Sequence, residues 1–70
     1  MAERHLAEAE AHIALGERHI VRQRELVADL ARDGHDTTEA KRLLANLEET
    51  QALHIAARDL TRRELADWPE

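Results

Sequence analysis

Apolar residues recur along the first half of the chain with a seven-residue period. Leu6, Ile13, Ile20 and Val27 hold one position, and Ala2, Ala9, Gly16, Gln23 and Leu30 hold the alternate position between them. Steps of three and four keep side chains on one stripe of an α-helix, and a sustained seven-residue repeat marks a helix packed lengthwise against another. The segment Ala2-Glu3-Arg4-His5-Leu6 returns two heptads later as Gly16-Glu17-Arg18-His19-Ile20, an echo that follows from the repeat itself.

The pattern breaks at Asp33-Gly34-His35-Asp36 and resumes to about Ala66, before Asp67-Trp68-Pro69-Glu70. It predicts a single domain over 1–70, with a helix over about 2–33, a turn at 34–36 and a helix over about 37–67. Gly34 can take the left-handed conformation that closes a helix. Asp36, with Thr37 as the competing choice, is the expected N-cap of the second helix, and Glu39 stands at the spacing of a capping box. So short a connection sets the helices side by side as an antiparallel two-helix hairpin, each arm roughly 45 Å long.

In the second arm Leu43, Leu47, Thr50, Leu53, His54, Ala57, Leu60 and Thr61 form a broad stripe. Folding about the turn would set Val27 near Leu43, Ile20 near Thr50, Gly16 near His54 and Ile13 near Ala57. Leu15, Val21, Leu26, Leu44 and Ile55 do not all fit one two-helix seam. A second hairpin would cover them in a four-helix bundle, and a two-fold dimer is the commonest closed arrangement. Self-association is therefore assigned to Leu15, Val21, Leu26, Leu44, Leu53, Ile55 and Leu60.

Composition agrees with an all-α fold. The 70 residues contain no Cys, Phe or Tyr, one Trp, two Gly and one Pro, and the dominant Ala, Leu, Glu and Arg all favour helix. Disulfides and thiol chemistry are excluded, so stability must come from packing, including packing between chains. A formal net charge of -5 disfavours a protein that coats nucleic acid or an anionic membrane. No apolar run approaches the roughly 20 residues that span a bilayer, and Met1-Ala2-Glu3-Arg4-His5 lacks the apolar core of a secretory signal. The expected location is the cytoplasm.

Chemistry has little to stand on. Ser, Cys and Tyr are absent and Lys41 is the sole lysine, which leaves few nucleophiles, and no phosphate-binding glycine loop occurs; neither catalysis nor a cofactor is expected. His5, His12 and His19 stand in one heptad column, but residues seven apart lie roughly 10 Å apart along a helix, too far to share one ion. His12, His19 and His54 are the weak candidates for a metal site, which would need both helices, with Glu8 or Glu17 as a carboxylate ligand. The preferred reading makes His54 a buried polar residue that fixes register opposite Gly16. Arg18, Arg22, Arg24, Arg62 and Arg63 are basic, yet lack the stacking aromatics of a single-strand binder. A helix-turn-helix is a poor match, since its helices are much shorter than these arms and its turn sets them across each other.

The run Arg24-Glu25-Leu26-Val27-Ala28-Asp29-Leu30, the turn Arg32-Asp33-Gly34-His35-Asp36-Thr37, and the segment from Leu43-Leu44 through Glu49-Thr50-Gln51 to His54 resemble a group of short, uncharacterised bacterial helical-hairpin proteins. The resemblance spans most of the chain and implies a stand-alone small protein, with no catalytic residues or ligand to carry over. The expected function is a structural or regulatory protein–protein interaction module that forms a homodimer and presents a face to another helical protein. The alternatives are a histidine-dependent metal or pH sensor and a nucleic-acid-associated hairpin.

Overall fold

The computed structural model describes residues 2–67. Two helices, α1 over Ala2–Arg32 and α2 over Thr38–Ala66, pack against each other as an antiparallel hairpin. The molecule is a rod of 59 × 15 × 13 Å. Neither helix is long and apolar enough to cross a membrane. The second helix ends at Ala66 with Asp67 at its C-cap; Trp68-Pro69-Glu70, the rest of the expected terminating segment, lies outside the described residues.

The turn closes α1 through two backbone bonds. Gly34, at φ 77°, donates to the Ala31 carbonyl at 3.2 Å, and His35 donates to the Leu30 carbonyl at 2.9 Å. Together they form a Schellman motif, which satisfies carbonyls that the end of a helix otherwise leaves free. A side chain at Gly34 would meet nothing within 4 Å, so the requirement for glycine there is conformational and not steric.

The second helix starts one residue later than the sequence predicts. Thr37 occupies the N-cap position but makes no side-chain capping bond. The capping is done by Asp36, whose Oδ1 accepts from the Thr38 backbone N–H at 2.9 Å and from the Thr38 hydroxyl at 2.7 Å. With the start displaced, Glu39 sits at the second helical position, and its carboxylate pairs with Arg42 at 2.9 Å instead of completing a capping box. The last turn of α1 carries the pair Arg32–Asp29.

The seam on α1 follows the heptad positions Leu6, Ala9, Ile13, Gly16, Ile20, Gln23, Val27 and Leu30, all shielded to some degree. On α2 the seam follows the expected stripe only at Leu47 and Thr61, which are part-shielded. It runs through Ala40, Leu44, Leu47, Gln51, Ile55, Arg58 and Leu65, so Leu44 and Ile55 face α1 and not an outer surface. Thr50, His54 and Ala57 are exposed, and Leu43, Leu53 and Leu60 are 49%, 66% and 54% exposed. Among the described residues only Ile20, Ala40 and Gln51 are buried. The core is one side chain thick, because each helix has a single neighbour to pack on.

Two outcomes follow for the turn. Gly34→Val should destabilise the hairpin by about 1 kcal/mol or more, and Gly34→Asn by less, since Asn tolerates the left-handed region; chemical denaturation checks both. The Asp36 carboxyl is held below its ordinary range, first by the Thr38 N–H and then by the Thr38 hydroxyl. A carboxyl lowered by folding stabilises the fold above its unfolded value, and that contribution is lost as pH falls through the lowered one. Asp36→Ala should therefore melt earlier than wild type at neutral pH, with the difference shrinking below about pH 4.

Candidate functional site

The two long faces of the hairpin differ in chemistry. Along one, ion pairs bridge the helices: Arg24 to Glu48 at 2.9 Å and Arg62 to Glu10 at 3.0 Å. These residues share one flank of each seam, where long charged side chains reach across while their heads stay in water.

The opposite face carries a shallow groove between the helices. His12, Leu15 and His19 line it from α1, Leu47, Thr50 and His54 line it from α2, and Gly16 and Gln51 form its floor. Toward the turn it continues past Arg22 and Leu43. Leu26 lies in the same helical column as His12 and His19, and Leu53 and Leu60 lie beside Thr50 on α2. Among the described residues, five of the six large aliphatic side chains that are more than two-fifths exposed, Leu15, Leu26, Leu43, Leu53 and Leu60, thus share this face. The sixth, Val21, stands apart among Glu17, Arg18 and Arg22.

The floor of the groove is the closest approach of the helices. Gln51, 6% exposed, donates from Nε2 to the Ile13 carbonyl at 2.7 Å. Its Oε1 occupies the space beside Gly16, where a Cβ would lie only 2.2 Å away. A second amide repeats the device nearer the turn, where Gln23 Nε2 donates to the Ala40 carbonyl at 3.0 Å. No side-chain nitrogen or oxygen buried among the described residues lacks a partner.

The expectation that His54 packs opposite Gly16 is therefore corrected. Gln51 holds that place, three positions earlier, and His54 is an exposed residue at the groove's edge. What differs from the expectation is the stripe of α2 that faces α1, because an amide can both fill the glycine's space and bond a main-chain carbonyl there. The signal for Gln51 was present in the three-and-four stepping through Ala40, Leu44, Leu47 and Gln51, but it requires admitting a polar residue at the centre of a seam.

His12, His19 and His54 do line one groove, yet no three His, Asp or Glu side chains among the described residues are placed to hold a metal ion. No protein-family model, curated protein or solved structure matches the chain. The groove and its leucines are what the functional reading has to rest on.

The coupling of Gly16 to Gln51 can be measured. In an open helix Gly→Ala stabilises by about 1 kcal/mol. Here the new methyl must dislodge a buried amide, at a cost of about 1–3 kcal/mol. Gly16→Ala should lower stability alone and raise it by about 1 kcal/mol in the Gln51→Ala background. Additive effects in this double-mutant cycle would show that the amide does not occupy the glycine's space.

Proposed function

We propose that this protein is a structural or regulatory interaction module that works as a homo-oligomeric helical bundle, by binding and not by catalysis. The observation that supports it is the concentration of Leu15, Leu26, Leu43, Leu53 and Leu60 on one face of a rod whose other face is bridged by ion pairs. Single exposed leucines need no explanation, but an aligned set rimmed by polar residues marks an interaction surface. Covering each of these half-exposed side chains contributes about 1 kcal/mol or more before the entropy of association is subtracted.

The thinness of the fold points the same way. One hairpin buries Ile20 and Ala40 as its apolar core, and chains of this size commonly gain the rest of their stability from oligomerisation. A second hairpin laid on the leucine face would give each helix the additional neighbour that a bundle provides. Presentation of a remaining helical face to another protein is the module's role in this reading.

Sedimentation of the purified chain at micromolar concentration should give a dimer or higher oligomer, with helix content that falls on dilution. A fully helical monomer at all concentrations would overturn the proposal.

A further inference from the structure

The inner seam keeps its phase through the turn. Counting on from Leu30 by the steps of three and four that build α1 reaches Gly34, Thr37, Ala40 and Leu44, and from there the seam of α2. With Gly34 and Thr61 included, every step from Leu6 to Leu65 is three or four, an average of about 3.5, the period at which two long helices wind around each other. The column that begins at Ala9 and returns every seventh residue passes Leu30, Thr37 and Gln51 and ends at Leu65, and each of its members is at least partly shielded. A hairpin does not require this. Its turn can set α2 at any rotation relative to α1, so the two inner stripes need share no column. On one continuous helix they would have to form a single stripe, and the sequence meets that condition.

We infer that the chain has a second form, in which the turn becomes helix and two open chains exchange arms as an antiparallel pair. In it α1 of each copy packs on α2 of the other. With the two-fold axis between Asp33 and Gly34, Gly16 faces the partner's Gln51, Arg24 lies by the partner's Glu48, and Glu10 lies by the partner's Arg62. These are the pairings that the closed hairpin makes within one chain. Exchange therefore gives up no seam contact, which makes it a low-cost route to a dimer. The inference does not rest on the leucine face, which stays outside the exchanged seam in both forms.

The linking segment permits either form. Asp33-Gly34-His35-Asp36-Thr37 contains no proline, so no residue forbids a helix there. Closure depends on the positive φ of Gly34, the two backbone bonds of the Schellman motif and the Asp36 cap on Thr38. Opening gives up that cap and places a glycine in a helix, and in return the backbone groups of the segment enter the helical hydrogen-bond ladder. A Cβ at Gly34 would meet no atom within 4 Å, so no packing at that residue holds the turn shut. The balance falls on one backbone conformation.

Gly34→Ala tests the exchange. Alanine disfavours the left-handed conformation and favours helix, and with both chains of a pair affected the substitution should raise the dimerisation constant about a thousandfold. Because the chain has no cysteine, Arg18→Cys and Glu49→Cys place two spin labels at exposed sites, level with each other across the hairpin. Refolded with a large excess of unlabelled chain, a labelled molecule reports the separation of its own two arms. Closed, the labels are about 20 Å apart, across two packed helices and two label arms; open, they are about 46 Å apart along one helix. Pulsed electron paramagnetic resonance on Gly34→Ala should give the long distance, with sedimentation as a dimer, and wild type should gain it at about a thousandfold higher concentration. Gly34→Asn, which tolerates the left-handed region, should behave as wild type does. An oligomer of Gly34→Ala that retains the short distance would overturn arm exchange and leave association through the leucine face standing. A monomer with the short distance, or loss of helix content in that variant, would overturn arm exchange as well.

Discussion

The side-chain amide of Gln51 sets the register on which the rest of the hairpin depends. Two long helices sharing one apolar seam can slide by a turn with little change in hydrophobic contact, because the heptad repeats itself. Gly16 interrupts that degeneracy by leaving a space, and Gln51 fills it while bonding the Ile13 carbonyl. The bond is worth only about 1 kcal/mol net, whereas a buried amide without a partner costs about 1–3 kcal/mol. The register is thus specified chiefly by what the alternatives would lose. A slip of one turn would drive Leu47 or Ile55 against the glycine and leave Gln51 facing aliphatic side chains. Gln23, bonded to the Ala40 carbonyl, imposes the same restriction nearer the turn.

With the register fixed, the charged flanks fall into place. Arg24 meets Glu48 and Arg62 meets Glu10 on one side only. Exposed pairs of this kind contribute little stability each, and their main effect is to make that side polar and well solvated. The other side receives the leucines. The contrast between the faces is therefore a product of one packing decision at the centre of the seam, and it leaves leucines half-exposed along one side of the hairpin.

Much of the architecture was legible in the residues, and the part that was not has a definite cause. The α1 seam could be read from its repeat because Leu6, Ile13, Ile20, Val27 and Leu30 recur on one stripe, while Leu15, Val21 and Leu26 fall off it without forming a competing heptad. The α2 residues divide between two stripes that run side by side. Selecting the more apolar set, through Leu43, Leu53 and Leu60, gave the outer stripe, while the contact with α1 runs through Ala40, Gln51 and Arg58. Periodicity reports that a stripe exists but not which partner it meets. The choice between His54 and Gln51 as the counterpart of Gly16 is decided by shape and hydrogen bonding in three dimensions. The turn was easier, since Gly34 and Asp36 act through bonds to residues a few positions away; only the displaced start of α2 moved Glu39 out of its anticipated role.

The two stripes on α2 also explain why a helix would carry so weak an inner seam. Replacing Gln51 and Arg58 by leucine would strengthen packing on α1, but it would merge the inner and outer stripes into a broad apolar surface with no preferred rotation about the helix axis. Polar residues in the inner seam keep that rotation fixed, because the Gln51 amide must point at the Ile13 carbonyl and Arg58 must carry its guanidinium out to Asp59. The outer stripe is then held at one angle to the rod. Buried polar groups here act on specificity more than on stability, as a single polar residue does in setting the register and partner number of a coiled coil.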